Sequence, residues 1–287
     1  MSIKHILVAL NGETDSTNVP GCALHLAQKY GAHVTGVDTV RDEPMYPGTA
    51  YAGVATAYHV ELTKTYGIIK TQMRDTARES FEKARSHRGI ATAEKPTGRA
   101  EASASWLEGS SIDSDPVVVA GRLADLIVLE QSKSRGTVAH FNVIESAIFA
   151  ARRPALLTPL ECSELGNQAV IAWNGTAESA DAVERALPLL ADSEQVDIIQ
   201  VGGIKPELIQ TPALVNYLGW HGLTARIHNI DDKPKSTGKL ILQHAEQLGA
   251  DFLIMGAYSR SPMREAFFGG VTQHVIENAG LPVLFAH

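Results

Sequence analysis

The stretch Gly256-Ala-Tyr-Ser-Arg-Ser-Pro-Met-Arg-Glu-Ala-Phe-Phe-Gly-Gly-Val-Thr272 carries the residue types that hold an anion. Glycine lets a backbone come close to a ligand, and the free N–H groups of a helix start favour a phosphate. The same glycines also mark tight turns and close helix–sheet packing with no ligand, so both readings stand at this level. Other chemistry is poorly supported. No G-x-x-x-x-G-K-[ST] loop occurs, and Ser259 and Ser261 sit in no G-x-S-x-G elbow. His221, His228 and His244 show neither H-E-x-x-H spacing nor a companion cysteine pair, and read as single histidines. Cys22 and Cys162 are far apart and read as reduced thiols. Arg260 and Arg264 are available to phosphate, but Arg264 reads more simply as exposed charge. These residues point to binding; no catalytic or metal-ligating residue is assigned.

The loop must be positioned by the apolar run before it and the amphipathic segment after it, a strand–loop–helix order. That order is written twice along the chain. Lys4-His-Ile-Leu-Val-Ala-Leu-Asn11-Gly12 recurs as Asn167-Gln-Ala-Val-Ile-Ala-Trp-Asn174-Gly175. Ala124-Asp-Leu-Ile-Val-Leu-Glu130 recurs as Ala250-Asp-Phe-Leu-Ile-Met-Gly256, and Arg153-Pro-Ala-Leu-Leu157 as Leu281-Pro-Val-Leu-Phe285. Helical spacing joins Val19, Ala23, Leu26, Ala27 and Tyr30, with Gly31 as the stop. In the second copy it joins Ala180, Val183, Ala186, Leu187 and Leu190, where Pro188 predicts a kink or an early end. The copies are unequal: the first carries an extra helical segment at about 43–89, in which Thr65 to His87 reads as a long charged helix.

Two domains follow, 1–160 and 167–287, with the boundary near the polar stretch 158–167. Their strands are short continuous apolar runs, as parallel strands covered on both faces require. The fold class is therefore α/β: two tandem open parallel sheets, with sites beyond the strand C-termini. An apolar final strand needs a partner, and Leu281 to Phe285 has its own duplicate in Pro154 to Leu157.

Bulk numbers narrow the partners. A net charge of −7 provides no global basic field for nucleic acid or anionic membrane. The opening apolar run is too short for a signal-peptide core or a membrane span, so a cytoplasmic location is expected.

The repeated strand ending in a polar-Gly turn, the Ala-Asp-strand-Gly run and the final Pro-Val-Leu strand resemble the universal stress protein family, in its tandem two-domain form. The resemblance implies five-stranded sheets of the adenine nucleotide alpha hydrolase-like kind, packed as an intramolecular pseudo-dimer through the final strands. It also implies a stress-response regulatory protein, not an enzyme, that binds ATP or a related adenine nucleotide, with Mg²⁺, in the second domain. Protein partners would read the bound state, and a homodimer is compatible with it. Nucleotide-binding members show a glycine, two residues, a glycine, nine residues, then Gly followed by Ser or Thr. Gly256 and Gly269 match; Ser259 stands at the second glycine and Gly270 at the hydroxyl position, with Thr272 two residues on. Asn174 stands where the family places an acidic residue near the adenosine, and Val201 matches the backbone beside the adenine. Asn174 and Val201 would thus face base and ribose, and Gly256, Ser259, Gly269, Gly270, Val271 and Thr272 the phosphates. In the first copy Glu130 replaces the opening glycine, so that copy reads as degenerate. Two alternatives remain: a nucleotide-free interaction module working through the segment 45–87, and a slow ATP hydrolase.

Overall fold

The computed structural model describes residues 2–40, 56–96, 100–109, 115–131, 138–162, 165, 168–193, 195–231, 237–257 and 269–287; the side chains of 56–63 and 138–140 are excepted. The first half runs β1 (His5–Leu10), α1 (Asn18–Tyr30), β2 (His33–Asp38), α2 (Thr56–His87), β3 (Ala91–Thr92), β4 (Ser103–Leu107), α3 (Pro116–Gly121), β5 (Leu126–Glu130), α4 (Val138–Glu145), a π-helical turn (Ser146–Ala150) and β6 (Ala155–Thr158). The second half runs β7 (Ala169–Ala172), α5 (Ala177–Leu190), β8 (Gln195–Val201), α6 (Thr211–Trp220), β9 (Thr224–Ile230), α7 (Thr237–Gln247), β10 (Phe252–Gly256), α8 (Gly270–Asn278) and β11 (Val283–Ala286).

The strands form one sheet in the order β3-β4-β2-β1-β5-β6-β11-β10-β7-β8-β9. Neighbours are parallel within each half. The halves meet through one antiparallel pair, in which Val283, Leu284 and Phe285 oppose Leu157, Leu156 and Ala155. The two parallel sets thus share a continuous sheet, and the exposed edge that an apolar terminal strand would leave is removed. The first set gains a sixth strand, the two-residue β3, on its outer edge.

Alternation along the strands feeds two cores. Ile6, Val8 and Leu10 pack under α1 and α2, while Leu7 and Ala9 pack against α3 and α4. In the second half α5 and α6 cover the first face, and α7 and α8 the other. Burial on both faces is why these strands read as unbroken apolar runs. Counted from Asn11 and Asn174, the buried residues Val19, Ala23, Leu26 and Ala27 of α1 fall level with Ala182, Ala186, Leu189 and Leu190 of α5.

Local signals explain most element ends. Gly31 takes φ 57° and its N–H returns to the Ala27 carbonyl, closing α1 with a left-handed cap. Asp115 caps α3 by accepting from Val117 N, with Pro116 in the first turn. Pro188 departs from expectation, since α5 runs through it to Leu190. It sits in the last turn, where the missing N–H orphans only the carbonyl of the exposed Glu184, which water can serve. Its own carbonyl accepts the Tyr30 hydroxyl of α1 at 2.9 Å.

Candidate functional site

At the C-terminal edge of the second half, β7 hands over to α5 through Asn174, Gly175 and Thr176. Asn174 is exposed, and its Oδ1 accepts from Thr176 N at 3.2 Å and from Thr176 Oγ1 at 3.0 Å. Thr176 in turn caps α5 by accepting from Ser179 N. Asn11 makes the matching turn by accepting from Glu13 N at 2.8 Å. An amide suits this turn as well as a carboxylate does, which gives both asparagines a structural reason. Trp173, next in the chain, is buried in the core on the α5 side while Asn174 faces out.

The register brings Val201 to this edge. Ala172 pairs with Ile199, so Asn174 and Val201, two residues on from each, stand level. Val201 is half-buried and opposes Ile230, and Gly202 then turns with φ 71°. The following loop folds back over Gly175, where Ile209 N donates to the Gly175 carbonyl at 3.0 Å.

Gly256 has a packing role. A Cβ there would lie 2.5 Å from Ser179 N and 2.6 Å from the Glu178 carbonyl carbon, so the first turn of α5 rests directly on the end of β10. The first half solves the same place differently. Counted from the two asparagines, α1 begins about one turn later than α5, and the space admits a side chain. Glu130 fills it, buried, with Oε2 accepting from Asn11 N at 3.0 Å. The backbone of α2 then closes the first-half edge, because a Cβ on Gly12 would collide with the Met73 carbonyl oxygen. Arg74, next along α2, reaches Asp38 at 3.6 Å. Burial raises the Asp38 carboxyl above its ordinary value, against the pull of the Val40 N–H and Arg74.

Gly269 and Gly270 differ from Gly256 in kind. Gly269 is the N-cap of α8 with φ −57°, and as a glycine it offers no side chain to cap the helix. Among the described residues, a Cβ added to either glycine meets nothing within 4 Å. By position, the N–H groups of Gly270, Val271 and Thr272 have no partner within the helix. Val271 is half-buried and Thr272 buried. Ser259, Arg260, Ser261 and Arg264 lie outside the described residues.

Some contributors carry no sequence signal. Gln131, buried just beyond β5, donates from Nε2 to the carbonyls of Ile276 and Ala279 at 3.2 and 3.3 Å. The first half thereby caps the C-terminus of the helix whose start is the candidate site. The histidines have separate partners: His228 Nε2 is 2.7 Å from Asp197 Oδ1, His244 Nδ1 is 2.9 Å from the Leu240 carbonyl, and the His221 ring lies against Tyr217. Among the described residues no group of three possible metal ligands occurs, and no helix is long and apolar enough to cross a membrane.

Residues 218–287 match the model of the universal stress protein family. No curated protein matches the chain. Among solved structures, a universal stress protein from Archaeoglobus fulgidus is 14% identical with a TM-score of 0.61, covering 99% of this chain and 96% of its own. A functionally unknown protein from Pseudomonas aeruginosa is 13% identical with a TM-score of 0.56, covering 99% of this chain and 92% of its own. At such identities the structures speak for the fold, which is shared over essentially the whole length. The resemblance to the universal stress protein family is borne out by the family match at the C-terminal end and by this full-length fold.

Proposed function

We propose that the chain is a nucleotide-responsive regulatory protein of the universal stress protein kind, cytoplasmic, with a single adenine-nucleotide site in its second half. The observation that carries this reading is the Gly269–Gly270 pair at the start of α8. Among the described residues neither a positive φ nor a crowded neighbour calls for glycine there, and three N–H groups without a partner inside the helix face the helix start. Phosphates of ATP or a related nucleotide, with Mg²⁺, lie against Gly269, Gly270, Val271 and Thr272, with Ser259 in the same loop. Asn174 and Val201, level at the adjoining edge, take the base and ribose; the Asn174 oxygen is held by Thr176, so its Nδ2 is the group that donates. Gly256 serves the site indirectly, by letting α5 close on β10. In the first half α2 and Glu130 occupy the corresponding edge, which supports one site per chain.

Hydrolysis needs, besides the Mg²⁺ on the phosphates, a group that positions and deprotonates the attacking water, and the residues assigned here are an amide, glycines, hydroxyls and valines. Binding without turnover is therefore the reading. Isothermal titration with ATP and Mg²⁺ tests it beside Gly269→Asp. Aspartate is a favourable N-cap, so the variant keeps α8 while setting a carboxylate against phosphate. Saturable binding to the wild type that falls at least about tenfold in the variant is expected, a loss of about 1.4 kcal/mol or more. Equal heats from both proteins, or none from either, would sink the site.

A further inference from the structure

On the sheet face opposite α8, a groove of about 710 Å³ runs between α5 and α6. Its floor is apolar, from Trp173, Val183 and Leu214, and none of the residues assigned to the nucleotide lines it. Its ionisable lining groups are Glu178, Asp181, Glu184, Tyr217 and His287. The three carboxylates recur every third residue along α5 and repel a phosphate. Asp181 is answered by Arg185 at 3.4 Å, an exposed pair. Burial first, and the Glu184 carboxylate second, raise the Tyr217 phenol above its ordinary value, so the two walls are within electrostatic reach. Trp173 is 4% exposed, yet its indole N–H is buried without a hydrogen-bond partner.

The first half shows what fits. Counted from Asn11 and Asn174, Asp15 corresponds to Glu178, Asn18 to Asp181 and Gly21 to Glu184. In the first half that surface is covered by α2. Lys83 Nζ sits 3.0 Å from Asp15 Oδ2, and Ser80 Oγ donates to Asp15 Oδ1 at 3.2 Å. The Arg88 guanidinium, just past α2, lies 3.9 Å from where a Cβ on Gly21 would be, and Ala77, Phe81 and Ala84 bury the apolar stripe. The second half has only the 10-residue α6 in place of the 32-residue α2. Among the described residues nothing covers its carboxylate-lined face of α5, where Ile209 and Tyr217 line the groove and are exposed.

We propose that the α5–α6 groove is a docking site for a basic amphipathic helix of a partner protein, which lies on α5 as α2 lies on α1. Apolar side chains of the guest enter over Trp173, Val183 and Leu214, while lysines or arginines meet Glu178 and Glu184. This is helix-in-groove recognition with charge complementarity setting partner and register. It uses the sheet face opposite α8, and its upper end adjoins the nucleotide site where Glu178 packs on Gly256.

Fluorescence anisotropy on the full-length protein tests it, with a labelled helical peptide of leucines on one face and lysines on the other. Saturable binding is expected, weakened at least about tenfold by Glu178→Gln/Glu184→Gln, because paired charges at such interfaces carry register and affinity. A control, Asp75→Asn/Glu79→Gln, removes the same charge from exposed positions on α2 and should keep wild-type affinity. The same peptide with glutamates for lysines should not bind. The proposal is overturned if the groove variant binds as tightly as the wild type, or if the control loses as much. It is equally overturned if spermidine displaces the peptide at matching concentration, or if the wild type is a dimer that the groove variant breaks.

Discussion

Gly256 and Gly270 look alike as letters in one glycine-rich stretch, and the structure separates them by what stands beside each. At Gly256 a methyl group would meet backbone atoms of Ser179 and Glu178, which cannot swing aside as a flexible side chain would. Overpacking of that kind costs about 1–3 kcal/mol. At Gly270 a methyl group meets no described residue, and alanine in a helix is favoured over glycine by roughly 0.5–1 kcal/mol. Urea unfolding should therefore find Gly256→Ala destabilised by about 2 kcal/mol and Gly270→Ala unchanged or slightly more stable. Equal losses at both positions would contradict the division between a packing glycine and a ligand glycine. At this scale the turn glycines, the capping Gly31 and the odd Glu130 are legible in the chain, because each acts on near neighbours. Gln131 is not, because its acceptors on α8 are more than a hundred residues away and nothing local announces them. The job of Gly256 is hidden for the same reason, since it depends on where α5 begins.

Among the elements, α2 departs most from its counterpart. The long charged helix expected from Thr65 to His87 lies within a longer one, Thr56–His87. It buries Ala77, Phe81 and Ala84, and sets Met73 over Gly12. A helix so embedded in the first-half core is a structural part as well as a surface, which weighs against the segment 45–87 acting only as a detachable interaction arm. Pro188 shows the limit of a local rule, because its effect depends on distance from the helix end. The β6·β11 pair is legible from the apolar terminal run and its duplicate, and its consequence is a shared core. Leu284 and Leu156 oppose one another and both are fully buried. Leu284→Ala should cost about 2–5 kcal/mol. Because the pair lies at the junction of the halves, unfolding followed at Trp106 and at Trp173, in variants keeping one tryptophan each, should shift together. Displacement of the Trp173 transition alone would contradict a cooperative junction.

At the scale of the whole molecule, a duplicated fold is used unequally. The first half has closed its strand C-termini with α2, Glu130 and the Asp38–Arg74 pair, and braces the second half through β6 and Gln131. Among the described residues, nothing covers the start of α8 on one face of the second half or the flank of α5 on the other. The duplication was visible in the chain as repeated landmarks; the asymmetry of use was visible only in part, through Glu130 against Gly256. The proposed nucleotide site is one per chain, at the C-terminal edge of the second half. The most direct measurement is a backbone-amide NMR titration of the full chain with ATP and Mg²⁺. Gly270, Val271 and Thr272 should shift in a saturable way together with Asn174 and Val201, while Asn11 and Thr39 at the first-half edge stay still. Shifts confined to the α5–α6 groove, equal shifts in both halves, or none at all would contradict it.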